Sequence, residues 1–198
     1  MSAVVMTGGT SGFGVHTVSR LRSADGPIIL GTRTPTDDEH LALDLTSLAS
    51  VRRFADQVLN RLGPQPIGAL VLNAGIVRPD ATARSADGFE MAFAVNHLAH
   101  YLLLRLLLEQ MAEGGSIVLT TSGTHDPARN AGLAPPRHAQ ARLLADPDLD
   151  PGAQTATARG GQEAYTASKL GTVMTVRALA GHPAVVDRQV TVLAFCPG

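Results

Sequence analysis

A phenol and an ammonium group one helical turn apart form the most pointed chemical pair in this sequence. They are Tyr165 and Lys169, in the run Tyr165-Thr166-Ala167-Ser168-Lys169. From Glu163 to Ala180 helix breakers are few, and Leu170, Val173, Met174, Val176 and Leu179 form an apolar set, which predicts a helix. Residues i and i+4 of a helix leave from the same face. Free tyrosine has a pKa of about 10. A lysine cation beside it favours the phenolate and lowers that value, giving an acid or base usable near neutral pH. Tyr-x-x-x-Lys also arises by chance as two unrelated helix residues, so the surrounding elements must carry the assignment.

Those elements follow from the apolar pattern. Ala3–Met6, Ile28–Leu30, Leu41–Leu43, Ala69–Leu72, Ser116–Thr120 and Val190–Phe195 are short apolar runs that predict buried strands. Between them Val15, Val18 and Leu21 recur at helical spacing. So do Leu48, Val51, Phe54, Ala55, Val58, Leu59 and Leu62, stopped by Gly63-Pro64. Strands without polar alternation, separated by helices, predict a parallel sheet covered on both faces. Right-handed crossovers make it doubly wound: an α/β, Rossmann-type fold of three layers in one domain spanning 1–198. Leu98–Leu108, apolar nearly all round, is expected to be buried by its own domain or a partner chain.

The strand ends then supply the chemistry. The first runs into Thr7-Gly8-Gly9-Thr10-Ser11-Gly12-Phe13-Gly14. Glycines there allow a tight turn and bring backbone N–H groups to a pyrophosphate, while the next helix directs its positive end at the same phosphates. A plain turn is the bland alternative, but the position between a predicted strand and a predicted helix supports dinucleotide binding. At the end of the second strand, roughly 20 residues on, an NAD site would carry an acid for the ribose hydroxyls. This chain has Arg33, which suits a 2′-phosphate, so NADP is expected over NAD; a solvated surface arginine is the alternative. Asp44-Leu45 and Asn73-Ala74-Gly75 follow the third and fourth strands, at the carboxyl edge where open parallel sheets bind ligands. Asn96-His97 is expected to open the apolar helix, Ser122 to close the fifth strand and Pro197-Gly198 to follow the sixth.

Composition excludes other classes. The 198 residues carry a net charge of -1, which gives no electrostatic case for nucleic acid or an acidic membrane. One cysteine, Cys196, read as a small buried residue, rules out an internal disulfide and fits a reducing compartment. The N-terminus is too short and uncharged for a signal peptide, and the apolar run Leu98–Leu108 is far shorter than a membrane span, so a cytoplasmic location is expected. The seven histidines show no metal-ligand spacing, so no metal is expected; His97 and His100 read as satisfied core or interface histidines.

Taken in order, Thr7-Gly8-x-x-x-Gly12-x-Gly14, Asp44-Leu45, Asn73-Ala74-Gly75, Asn96, Ser122, Tyr165-x-x-x-Lys169 and Pro197-Gly198 closely resemble the short-chain dehydrogenase/reductase family over the whole chain. Asn96-His97-Leu98-Ala99-His100-Tyr101-Leu102-Leu103 is most similar to the branch holding retinol dehydrogenases and protochlorophyllide reductase. The resemblance implies hydride transfer between a nicotinamide and a small carbonyl or alcohol substrate. Tyr165 would exchange the proton. Lys169 would lower the tyrosine pKa and bind the nicotinamide ribose. Ser122 would hold the carbonyl, and Asn96 would fix a water in a relay towards Lys169. Gly8, Gly12 and Gly14 would shape the pyrophosphate turn, Asp44 would contact adenine, and Asn73 would stabilise the central strand. A non-catalytic dinucleotide sensor or scaffold is the competing class. A nucleotide-sugar epimerase or dehydratase uses the same Tyr and Lys but normally carries a larger C-terminal domain.

Two features depart from the family. Ser122 and Tyr165 are separated by 42 residues, far more than in many members. The stretch at about 124–162 reads as loop, with a short helix around His138–Leu144, and is either a mobile surface excursion or a substrate lid. The family also continues past Pro-Gly, so the chain is read as a fragment or a truncated form whose strand Val190–Phe195 would be an exposed apolar edge. Family members commonly pair through the two helices that carry Asn96 and Tyr165. A homodimer or homotetramer is therefore expected, unless the excursion covers that face and leaves a monomer.

Overall fold

A computed structural model describes residues 2–22 and 26–197. Six strands pair in parallel throughout: β1 Ala3–Thr7, β2 Ile28–Thr32, β3 His40–Ala42, β4 Ile67–Leu72, β5 Met111–Thr120 and β6 Thr191–Phe195. Their spatial order is β3-β2-β1-β4-β5-β6. That order reverses direction at β1, so the loops after β1 and β4 diverge and leave a crevice at the carboxyl edge. All six predicted strands are present; β5 starts five residues before its predicted Ser116.

Successive side chains on a strand face opposite sides, and the core divides accordingly. Val5, Ile29, Leu70, Leu72, Ile117 and Leu119 point to one side, against Val51, Phe54 and Val58 of α2 (Leu48–Leu62) and Leu103, Leu104 and Leu107 of α4 (Ala99–Leu107). Met6, Ile28 and Leu30 point to the other, against Val18 of α1 (Gly12–Leu21). The second layer is the thinner one. Val118 of β5 and Phe195 of β6 face the large cleft, and Leu193 is 48% exposed. β6 is the last strand in the sheet order, with Phe195 53% exposed.

Helix boundaries differ from the sequence reading in two places. The apolar helix does not open at Asn96. It begins with α3 (Met91–Phe93), passes through a π turn at Ala94–Leu98 and continues as α4. Glu90 makes the early start possible, because its carboxylate accepts the N–H groups of Ala92 and Phe93. The whole run Met91–Gln110 reaches 20 residues, the length of a membrane span, but 61% of its most apolar stretch is buried inside the protein, as befits a core helix. The second difference is α6, which runs from Ala158 to Leu179 and so takes residues from the end of the excursion. Thr157 caps it by accepting the Gly160 N–H at 3.0 Å. The rest of the excursion holds the expected short helix, α5 (Ala141–Ala145), between single turns.

Candidate active site

The crevice at the carboxyl edge is an open cleft of about 1730 Å³. Its lining takes in Gly8, Thr10, Ser11, Gly12, Phe13, Arg33, Asp44, Leu45, Asn73, Ala74, Gly75, Tyr165, Lys169 and Pro197. The structure therefore gathers most of the sequence-predicted cofactor residues along one surface; Gly198 lies outside the described residues. Thr7 and Gly14 stand just behind that surface. A Cβ on Gly14 would collide with the Gly8 carbonyl, so this glycine lets α1 close against the loop. Gly8 has φ +67, and a Cβ there would fall 2.7 Å from the Ala74 backbone. Only glycine fits a left-handed position with that approach.

The loops after β1, β4 and β5 are tied by part-buried polar contacts. Asn73 donates from Nδ2 to the Gly8 carbonyl at 3.1 Å and accepts at Oδ1 from the Thr120 hydroxyl at 3.0 Å. Asp44 accepts from the Thr46 N–H and hydroxyl, at 2.9 and 2.8 Å, which fixes its own turn. Arg33 lies on the exposed wall and forms no ion pair with the described residues.

At the far end of the cleft stands the pair on α6. Lys169 is only 4% exposed, and its Nζ sits 5.7 Å from the centroid of the Tyr165 ring. The ammonium donates to the Thr120 carbonyl at 2.9 Å. Burial pushes its pKa down to about 8, and the electrostatic influence of the neighbouring Cys196 works the other way. An ammonium has three donors, so two remain for a ligand in the cleft. Cys196 is half-buried beside this amine, more open than its sequence reading.

Asn96 and Ser122 are placed differently. Asn96 sits in the π turn, 2% exposed; its Oδ1 accepts the Ile76 N–H at 2.8 Å, and its Nδ2 donates to the Ile76 carbonyl at 2.9 Å and to the Ser168 hydroxyl at 3.0 Å. Ser122 follows β5 and accepts the Thr124 hydroxyl at 3.1 Å. Neither lines the cleft. Two contributors were not singled out from sequence: Thr120 receives the lysine, and Arg78 stands on the cleft lip. His100 is the satisfied core histidine its sequence reading expected, buried with both ring nitrogens partnered. His97 and His100 are held neutral by burial, at about 4 and about 3.

A family model described as short chain dehydrogenase matches residues 2–133. Human retinol dehydrogenase 13 is 37% identical over 125 residues, covering 54% of this chain and 37% of that protein. Protochlorophyllide reductase A of Oryza sativa subsp. japonica is 42% identical over 101 residues, covering 48% of this chain and 26% of the relative. The chain thus spans under half the length of these curated relatives. Among solved structures, a carbonyl reductase from Pseudomonas aeruginosa superposes with TM-score 0.69 at 20% identity, covering 100% of this chain and 84% of that one. An oxidoreductase from Brucella ovis gives 0.68 at 21%, covering 100% and 83%. The matched family model, the sheet order and the ordered motifs converge: the chain belongs to the short-chain dehydrogenase/reductase family.

Proposed function

We propose that the chain is an NADP-preferring oxidoreductase acting on a small carbonyl or alcohol. The observation that carries this is the buried Lys169 ammonium beside the Tyr165 ring, at the end of a cleft whose opposite wall carries Arg33. The residues present fit a dinucleotide: the Gly8 turn leaves no room for a side chain, α1 starts at the cleft, and Lys169 has donors to spare.

When bound, the nicotinamide supplies or takes the hydride. The chain's own part is to hold and move the proton. Tyr165 gives its hydroxyl proton to the substrate oxygen in reduction and takes it back in oxidation. Lys169 holds positive charge beside the phenol and binds the ribose hydroxyls, while its contact with Thr120 keeps it in place. Ser122 turns its hydroxyl from Thr124 to the substrate oxygen and adds a second donor to the developing alkoxide. Asn96 holds the loop at Ile76 and supports the water relay towards Lys169. Thr10, Ser11, Gly12 and Phe13 would hold the pyrophosphate, Asp44 and Leu45 the adenine and Pro197 the nicotinamide end, all of them lining the cleft.

Titration with NADPH and NADH, followed by turnover with a panel of aldehydes and ketones, tests the reading. NADPH should bind more tightly and be oxidised. Binding without oxidation across the panel would favour the non-catalytic sensor instead. We also propose a homodimer through α4 and α6, since Tyr101 and Met174 remain 42% and 47% exposed while the excursion engages α6 at Gln162 and Thr166. Light scattering at micromolar concentration should give twice the chain mass; a monomer mass would refute the pairing.

A further inference from the structure

His100 is 4% exposed on the largely apolar helix α4, and both ring nitrogens are engaged. Nδ1 lies 3.3 Å from the Asn96 carbonyl oxygen, and Nε2 lies 2.9 Å from the Thr7 hydroxyl. A carbonyl can only accept, so Nδ1 carries the proton. Burial keeps the ring neutral, leaving Nε2 a bare acceptor, so the Thr7 hydroxyl donates to it. That uses the only proton Thr7 has. Its lone pairs are then directed at the Asn73 and Ala74 N–H groups, at 3.1 and 3.2 Å.

These contacts close a ring. Thr7 holds one end of the loop Asn73-Ala74-Gly75-Ile76, and Asn96 holds the other through both Ile76 backbone groups. His100 joins Thr7 to Asn96. The loop stands directly against the reactive amine: a Cβ on Gly75 would lie 3.5 Å from Lys169 Nζ and 3.4 Å from Asn96 Oδ1. A leucine at position 100 would fill the space without burying polar atoms, but it would leave the Thr7 proton with no acceptor.

We infer that His100 is a positioning residue for the dinucleotide site: as the neutral Nδ1–H imidazole it orients the Thr7 hydroxyl and so holds the Asn73–Ile76 loop at the distance from Lys169 that the cofactor requires. This rests on the dinucleotide reading above, and it touches neither cofactor nor substrate.

Two measurements test it. Imidazole nitrogen NMR on labelled protein should show His100 with a protonated Nδ1 and a bare Nε2 from pH 5 to pH 9. NADPH titration should show His100→Leu binding roughly tenfold more weakly, the cost of a stranded buried donor. His100→Gln, whose amide offers one donor and one acceptor, should recover most of that loss, with unfolding midpoints confirming that each variant is folded. Unchanged NADPH affinity in His100→Leu, or an Nε2–H tautomer, overturns the inference. If His100→Leu does not fold, the Gln variant and the tautomer decide, and a tenfold loss in His100→Gln counts against it. A parent protein that binds neither NADPH nor NADH would remove the cofactor reading by itself. The ring is then judged by the tautomer and by slow exchange of the Asn73 and Ala74 amides: lost in His100→Leu and kept in His100→Gln if His100 positions the loop, and unchanged in both variants if it does not.

Discussion

The cofactor side of the molecule and the excursion between Ser122 and α6 are both irregular chain tied by polar contacts, but the ties are of opposite kinds. Around the cleft they are buried and neutral or singly charged: Thr7 with Asn73 and Ala74, Asn96 with Ile76, Lys169 with the Thr120 carbonyl. Each of these groups would lie stranded if its partner left, a loss of about 1–3 kcal/mol in a buried setting. In the excursion several ties are charged and nearer water: Arg84 pairs with Asp148 at 3.0 Å and Arg137 with Asp150 at 2.9 Å, and His138 hydrogen-bonds the same Asp150 carboxylate at 3.0 Å. Exposed pairs of that kind contribute roughly 0–1 kcal/mol. The cleft loops are thus fixed as part of the core, while the excursion is held to it at a few points, chiefly Gln162, Thr166 and the contact of the Glu90 N–H with the Ala145 carbonyl.

The sharpest way to break this contrast is to remove chemistry from the cleft without touching its ties. Tyr165→Phe keeps the ring beside Lys169 and deletes only the proton. Turnover on any substrate the parent reduces should fall by about two or more orders of magnitude, with NADPH affinity unchanged. A Phe variant that keeps its turnover would assign the proton to another group.

Arg33 comes next, because it sits in the cleft without being one of its ties. Arg33→Ala should weaken NADPH by about 1.5–3 kcal/mol, the range for hydrogen bonds to a charged group, and leave NADH alone. Equal losses for both cofactors would mean that the side chain shapes the wall and does not read the 2′-phosphate.

What could be foreseen follows the same division. The six strands were legible because apolar runs buried on both sides carry a strong pattern, and the cofactor loop because glycines with fixed spacing sit between a strand and a helix. Tyr165 and Lys169 share a helix face by their spacing, but that spacing acquired meaning only beside the ordered motifs around it. His100 was legible as a satisfied core histidine but its partners were not, since a histidine on an apolar helix has the same pattern whether it fills space or closes a ring of hydrogen bonds. The π turn was also hidden: Glu90 caps the helix well before Asn96, and no periodicity reports an i to i−5 contact. Gly160-Gly161 read as a loop, yet they form the first turn of α6 because Thr157 caps it and a Cβ on Gly161 would press on the Arg78–Asp80 backbone.

His100 offers a test of the buried side by pH. Its folded pKa is about 3, lowered chiefly by burial, raised in part by the Asn96 carbonyl and lowered further by the nearby Lys169 charge, against about 6.5 when unfolded. The unfolded chain therefore binds the extra proton as pH falls below 6.5. Stability is complete above that value and is lost on the way down to the folded pKa. Between pH 6.5 and 5 the loss should be on the order of 2 kcal/mol from this residue. Urea midpoints for the parent and His100→Gln should converge over that interval. Parallel curves would show that His100 is hydrated and titrates normally.

The smallest effect should come from the excursion. Asp150 accepts from His138, from the Gly152 N–H and from Arg137, and these donors hold its carboxyl below the usual range. The donors sit near the surface, Arg137 being 32% exposed, so water replaces much of what each gives. Asp150→Asn keeps the shape and removes the charge. It should lower global stability by no more than about 1 kcal/mol and leave NADPH affinity as it was. Limited proteolysis should respond more, because a segment held at few points opens separately from the core: cleavage within 127–150 should quicken while the remaining sheet stays intact. If the same substitution lowered the global unfolding midpoint steeply and weakened NADPH, the excursion would belong to the same cooperative unit as the cleft loops, and the contrast between the two regions would fail.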